Sequence, residues 1–349
     1  HTSREANGAA ATTFRWHCKK KRQDQRIQMI PKYTVVSLFF LIMFHLINIS
    51  KGSDLSPGAS QLLAVCVVGQ VGRTEVTSKL DNLIKPNLSS MHIHVFLILQ
   101  PGDAEFVNLA TSECLVAPKS IEDAGKQFSE YVNTTVVHFP RKYYDVNAVV
   151  WNYPDRGPKK KFRLQRHLNQ YLSFRACARE VAKQELKQNR FFDAILRIRD
   201  NSLVLRPFLV RGYASRLYRS LSESERSDVN WREMPVVVKR CASWAGYNDK
   251  VMLVPRPHMD ASLCGMADDF FLTVNHQKRR VSNPEQYAKL VLQSRGVPVH
   301  REPTPQNFPI ADGRCESGDS FCVVKNLKDC HPADSPVPEC NRTYAKAKP

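Results

Sequence analysis

Negative charge is what this sequence lacks: 33 Asp and Glu stand against 51 Lys and Arg, a formal net charge of +18. So basic a surface suggests anionic partners, whether nucleic acid, anionic lipid, sulfated glycans or sugar nucleotides, unless it is simply a solvated basic face. Other absences narrow the choice. No RNP, zinc-finger, helix-turn-helix or KH pattern occurs, which sets nucleic acid aside. No C-x2-C pair occurs, so zinc is discounted. There is no internal repeat, no G-x-G-x-x-G fingerprint and no Asp-x-Asp pair. An apolar fraction of 42% with 24% charged residues is ordinary for a chain that builds a core.

Long hydrophobic runs are equally scarce. The longest, Tyr33 to Ser50, contains no Asp, Glu, Lys or Arg. As a helix it spans about 27 Å, enough for a thin bilayer, with His45 and Asn48 as its polar positions. Arg15, Lys19, Lys20, Lys21, Arg22, Arg26 and Lys32 precede it, whereas Lys51 stands nearly alone after it. The positive-inside rule then predicts a basic cytosolic tail (1–32), one transmembrane signal anchor (33–50), a short stem (51–61) and a luminal domain. A cleaved signal peptide, a buried core helix and a mitochondrial presequence are the competing readings. Ile47-Asn48-Ile49 offers no small-residue cleavage site, and the run carries no polar stripe. Because the sequence begins at His1, it reads as part of a longer chain. The triplets Asn87-Leu88-Ser89, Asn133-Thr134-Thr135 and Asn341-Arg342-Thr343 are expected glycosylation sites of a luminal domain.

Of ten cysteines, Cys18 falls in the expected tail. Nine follow the anchor, so at least one should be free or paired between chains. Cys66, inside an apolar run, reads as a buried free thiol. Cys315, Cys322, Cys330 and Cys340 crowd a Cys-rich C-terminal tail (311–349), expected to be stapled by disulfides.

Between stem and tail, apolar runs alternate with helical periodicity. Leu62–Val68 and Met91–Leu99 read as buried strands, and Thr135–Phe139 as a third. Asp193–Asp200 is a fourth strand ending on charge, with Pro235–Arg240 and Val251–Val254 as further candidates. Helices are expected over Thr77–Ile84 (ended by Pro86), roughly Leu164–Asn189, 266–275 and 284–295; Pro158–Arg163 reads as a basic loop. This order argues an α/β fold with a mostly parallel sheet flanked by helices.

Three strand ends could carry chemistry. Gly69-Gln70-Val71-Gly72-Arg73 closes the first strand, where small residues let a ligand approach the backbone and Arg73 can meet a phosphate. Arg197-Ile198-Arg199-Asp200-Asn201 closes the fourth. There Asp200 could hold Mg²⁺ or Mn²⁺ against a diphosphate, while strand alternation puts Arg197 and Arg199 on one side, for phosphate or for structural ion pairs. Ser243-Trp244-Ala245-Gly246-Tyr247-Asn248-Asp249-Lys250 reads as a sugar- or nucleotide-contacting loop, or as a plain turn. Asp268-Asp269 could supply a base or favour a helix N-terminus. His276 and His300 are metal ligands or surface histidines.

In order, AVCVVGQVGR (64–73), FFDAILRIRDNSLVLRPF (191–208) and CASWAGYNDKVMLVPR (241–256) resemble a glycosyltransferase-like family of eukaryotic type II membrane proteins, over residues 62–310. Its motifs are an A-V-C-x-x-G strand, an R-x-R-x-D strand end and a G-x-N-D loop. The resemblance implies a GT-A-like fold that holds a nucleotide sugar through a metal-chelating acidic motif. It places Asp200 on the metal, Arg197 and Arg199 on phosphate or against that carboxylate, Gly69 and Arg73 on the nucleotide, and Asn248 with Asp249 facing donor or acceptor sugar; Trp244 joins them from the reading of its loop. Asp269 would be the catalytic base. Here the run is Arg-Ile-Arg-Asp, without the intervening residue. The reading that follows is a Golgi or ER enzyme moving sugar from a nucleotide sugar to a glycan or glycoprotein. The alternative is a non-catalytic luminal protein that binds anionic glycans or a partner through its basic face.

Overall fold

An uninterrupted apolar strand needs apolar cover on both faces, and the computed structural model supplies it. It describes residues 61–101, 116–147, 149, 157–222, 229–271, 281–315, 321–323, 330, 332, 337 and 340. The expected tail, anchor and stem lie outside these, apart from Gln61. Among the described residues no helix is long and apolar enough to cross a membrane.

Strand β1 (Gln61–Gln70) is flanked by parallel partners β2 (Met91–Gln100) and β4 (Ala194–Arg199). Its side chains alternate between two cores. Leu62, Ala64, Cys66 and Val68 face one core; Leu63, Val65 and Val67 face the other. The sheet continues through β3 (Asn133–His138), β6 (Val236–Lys239), β7 (Val251–Pro255) and β8 (Val299–Glu302), in the order β3-β2-β1-β4-β7-β6-β8. Its pairings are parallel except where β7 runs antiparallel between β4 and β6. The expected mixed α/β fold with a mostly parallel sheet is therefore present.

Helix α1 (Ile121–Ser129) and helix α3 (Val210–Ser222) pack on the odd-numbered face of β1. Helix α2 (Pro158–Gln188) covers the other face, with α4 (Pro284–Ser294) and a helical segment formed by Asp260–Cys264 and Gly265–Asp268. The basic loop expected at 158–163 is instead the start of α2. Proline suits the first helical position because its missing N–H has no intrahelical duty there, and Lys and Arg are good helix formers. Likewise, the helix expected to stop before Pro86 continues through Lys85–Asn87 after a π-helical turn over Leu80–Ile84. Pro86 donates nothing to the Asn82 carbonyl four residues back; the Phe208 N–H takes that carbonyl at 2.7 Å.

Two further expectations change. Cys66 is not a free thiol: α2 lays Cys177 against β1, Cα atoms 6.2 Å apart, and the two are disulfide-bonded. Nor does the domain end at residue 310. β9 (Ile310–Cys315) pairs with β5 (Ser202–Val204) and with β10 (Phe321–Val323) in a small antiparallel sheet. Cys322–Cys340 staples the tail as expected, whereas Cys330 reaches back to Cys241. Cys264 carries a free thiol.

The Cys66–Cys177 bridge closes a loop of 111 residues, for which chain entropy argues a stabilisation of about 4–5 kcal/mol. The Cys66→Ala/Cys177→Ala protein should lose roughly 3–5 kcal/mol in urea unfolding; a loss below about 1 kcal/mol would contradict this role.

Candidate functional site

The chain leaves β1 toward β2 and β3 on one side, then returns to place β4 on the other. Between the C-terminal ends of these parallel strands lies the switch point at which open α/β sheets bind ligands. A cleft of about 790 Å³ opens there. Gly69 of β1, Arg73 in the turn after it, Arg197 and Arg199 of β4, Asp200 directly after that strand, and Trp244 all line it, so six of the expected site residues converge.

Asp200 is the centre of this arrangement. Its buried carboxylate accepts the Gln70 N–H at 2.7 Å and Arg73 Nε at 2.5 Å on Oδ2, and Arg73 Nη2 at 3.3 Å on Oδ1. Its carbonyl accepts from the Glu75 N–H and from Lys79 Nζ, both at 2.9 Å. Lys79 is itself buried and also donates to the carbonyls of Glu75 and Ser202. Gly69 makes the close approach possible. Its φ is +145°, and a Cβ there would stand 2.2 Å from Asp200 Cγ. On the far side, the Asn201 side-chain amide donates to the Gly313 carbonyl at 2.8 Å, so the C-terminal sheet braces the same turn.

This geometry bears on the expected metal. A hard cation needs carboxylate oxygens with lone pairs to give. Both Asp200 oxygens are engaged by Arg73 and Gln70, and among the described residues no three His, Cys, Asp or Glu gather as a metal site. The residues present do not fit a divalent ion held by Asp200.

Cations dominate instead. Helix α2 contributes Arg163 and Arg166, and Arg141 comes from the segment after β3. That segment is held to α2 through Lys142: its N–H donates to Asn169 Oδ1 at 3.1 Å, and its carbonyl accepts from Gln165 Nε2 and Asn169 Nδ2 at 2.7 and 2.9 Å. Arg197 lies fully buried, its guanidinium 3.7 Å from the Phe174 ring centroid and one Nη donating to the Asp249 carbonyl. Burial first, then Arg199, pulls its pKa down to about 9, against the opposing pull of Asp249. Among the described residues its Nε and second Nη have no hydrogen-bond partner. Although Arg166 reaches solvent at the cleft mouth, desolvation and then Arg73, Arg199, Arg141 and Arg163 lower it to about 10. His167 falls to about 3: desolvation leads, Asp249 opposes, and Arg166, Arg199 and Arg163 add to the fall. Its imidazole is therefore neutral at physiological pH.

The loop 241–250 forms one wall. Ala242, Trp244 and Ala245 adopt positive φ of 46°, 42° and 65°, a strained run of the kind found at ligand clamps. Cys241–Cys330 anchors its start, and the Tyr247 N–H donates to the Glu285 carbonyl at 2.9 Å. A Cβ on Gly246 would sit 2.0 Å from that carbonyl group, so only glycine fits. Trp244, 64% exposed, stands at the cleft edge.

Other expectations are corrected. Asn248 and Asp249 are buried and do not line the cleft. Asn248 holds the loop, donating to the Cys241 carbonyl and accepting the Lys250 N–H, both at 2.9 Å. Asp249 accepts from Gln170 Nε2 at 2.7 Å, and Arg199 donates to the same amide's oxygen at 2.9 Å, so Gln170 links the two charges. Burial would raise the Asp249 pKa, but Arg199, Lys250 and Arg197 outweigh it and hold the group low. Asp269 is not in the cleft. It receives two bonds of 2.8 Å from Arg295, tying the 260–268 segment to the end of α4. Asn87 is no glycan acceptor: its amide is buried and bonded to the Leu83 and Phe208 carbonyls and the Val210 N–H. Asn133 is exposed at the start of edge strand β3. His300 sits on β8, 3.7 Å from Glu302, while His276 and Asn341 lie outside the described residues.

Sequence reasoning missed Glu285. It opens α4, lines the cleft, and has Lys250 at 4.0 Å. Desolvation and the facing Asp249 raise its pKa to about 7 against Lys250 and Arg199. Its position directly after Pro284 reads only as a helix start.

No protein-family model matches the chain, and no curated protein matches it in sequence. Among solved structures, it is similar to the apo form of the glycosyltransferase GlyE of Streptococcus pneumoniae TIGR4. Identity is 9% and the TM-score 0.33, over 72% of this chain and 47% of that one. A second GlyE structure gives 8% and 0.32 over the same shares. The chain thus spans about half of GlyE's length, and so slight an overlap carries no argument about activity.

Gly69→Ala should destabilise the protein by about 2–4 kcal/mol, combining overpacking against Asp200 with a φ foreign to alanine. Urea unfolding measures it; an unchanged midpoint would mean the carboxylate is not held where described.

Proposed function

We propose that this chain is a glycosyltransferase-like enzyme of the secretory lumen, which transfers a sugar from a nucleotide-sugar donor to a glycan or glycoprotein acceptor. The observation that carries the reading is the convergence of Gly69, Arg73, Arg197, Arg199 and Asp200 on one cleft at the β1/β4 switch point. A volume of about 790 Å³ suits a nucleotide sugar with part of its acceptor. Arginine forks match phosphate oxygens, and Trp244 offers a flat face for a sugar or base.

In the reaction, the bond between the anomeric carbon and the diphosphate oxygen breaks, and its electron pair leaves on that oxygen. The arginines stabilise the charge that develops there. The acceptor oxygen forms the new bond to the anomeric carbon and gives up its proton. Glu285 replaces Asp269 as the group proposed to take it, since it lines the cleft and its raised pKa leaves it poised near neutrality.

The luminal placement, with a single membrane helix at 33–50 in a Golgi or ER membrane, draws support from three disulfides among the described cysteines. The exposed Asn133 sequon agrees with it.

The test is donor hydrolysis and transfer by the purified full chain across a panel of UDP- and GDP-sugars. Turnover is expected. Binding of anionic glycans without turnover of any donor would favour the non-catalytic alternative. Because Glu285 must be ionised to accept a proton, kcat should rise with pH through about 7. Glu285→Gln should lower kcat by about 10²–10⁴-fold and flatten that limb; an unaltered profile would remove Glu285 from the role.

A further inference from the structure

The cleft raises a question of charge. Its deepest carboxylate, Asp200, has no exposed surface and is enclosed by Arg73 and the Gln70 N–H, so its lone pairs already face donors. A divalent cation entering there would have to break the Arg73 pair and then sit among the guanidinium groups of Arg73, Arg166, Arg197 and Arg199. Like charges gathered in one cleft repel where protein limits solvent screening. Among the described residues the one other cleft-lining carboxylate is Glu285, which stands at the start of α4 and faces Lys250.

Arg197 supplies the second, independent observation. It is completely buried at the cleft, and among the described residues its Nε and one Nη carry N–H groups without an acceptor. Buried unmet donors are costly, and a buried charge is normally paired. Phosphate oxygens would satisfy both, through short charge-assisted bonds. Arg199, two residues on along β4, faces the same side and is steadied by Gln170, whose amide is fixed in turn by Asp249. Its guanidinium is thus oriented before any ligand arrives, which is the condition for effective charge stabilisation.

We propose that Arg166, Arg197 and Arg199, with Arg73 oriented by Asp200, hold the donor's diphosphate directly and take the place of a divalent cation. Asp200 is then a positioning residue, not a metal ligand. The inference rests on the nucleotide-sugar reading above, yet it can fail separately from it.

The experiment is calorimetric binding of UDP, GDP and inorganic pyrophosphate to the full chain, in EDTA and again in excess Mn²⁺. Equal affinity for nucleotide in the two conditions, within about threefold, is the expected result. Nucleotide binding that appears only with Mn²⁺ would overturn the inference while leaving the glycosyltransferase reading standing. Pyrophosphate binding in EDTA without any nucleotide binding would support the arginine site and remove the nucleotide. No binding under either condition would sink both. In EDTA, Arg199→Gln and the solvent-reaching Arg166→Gln should each weaken UDP binding by about 10–100-fold, the loss of a charge-assisted phosphate contact. Asp200→Asn leaves Arg73 one acceptor in place of a carboxylate and should weaken UDP binding by the same factor in EDTA and in Mn²⁺, whereas loss of a metal ligand would weaken binding only in Mn²⁺. Circular dichroism and urea midpoints confirm that each variant is folded, and Arg166→Gln, away from the core, secures the test if Asp200→Asn unfolds.

Discussion

The hold on Asp200 is the constraint from which the rest of the site follows. Two parallel strands that part company at their C-terminal ends would leave a gap of unpaired backbone. Here a single carboxylate closes it, accepting from the Gln70 N–H at the end of β1 and from Arg73. The same residue's carbonyl is taken by Lys79 and the Glu75 N–H, so the helical segment after β1 is tied to the end of β4. Gly69 exists at its position because nothing larger would let the carboxylate in. Buried Lys79 has its pKa lowered by desolvation, against Glu75 and Asp200, and three carbonyls surround its ammonium. That is an expensive arrangement for burial alone, and it makes sense as a clamp on a strand end that must not move.

Around that fixed point the fold gathers positive charge. Helix α2 crosses the sheet with its N-terminal turns over the switch point, bringing Arg163 and Arg166 opposite the arginines of β4. Aromatic rings temper the repulsion: Phe174 lies under Arg197, and Phe162 lies within 5.8 Å of the Arg166 guanidinium carbon. Asp249 works from behind the cleft wall, through Gln170, rather than by touching a ligand. The result is a concave surface whose unfilled hydrogen-bonding capacity is for an anion.

Much of the fold was legible because two-faced burial leaves a plain mark. Leu62–Val68 and Met91–Leu99 are apolar at every position or nearly so, and both are strands near the middle of the sheet. Pattern failed where context overrode it. Pro158–Arg163 looks like a loop by charge, but its lysines and arginines are good helix formers on the solvent side of α2. Pro86 looks like a helix stop, yet Phe208 meets the carbonyl it leaves open. The three-residue strands β5 and β10 have too few residues to show a period, and Asp312, Gly313 and Arg314 break the apolar pattern of β9. At the site, Gly69, Arg73, Arg197, Arg199 and Asp200 could be picked out because strand ends in such sheets face ligands. Asn248 and Asp249 lie one layer behind the cleft, and polar loop residues that brace a wall look the same in sequence as those that line it.

By itself, then, the sequence determined that strands 62–68, 91–99 and 193–200 would be buried in an α/β sheet, and that Arg197 and Arg199 would share a side. Local rules of burial and alternation suffice for that. Tertiary structure alone decided which acid faces the cleft, Glu285 and not Asp269, and which cysteine Cys66 would meet. It also decided that Asp200 would be spent on Arg73. These are contacts between residues from 26 to 127 positions apart, chosen by how helices seat on a twisted sheet, and no local pattern carries that information.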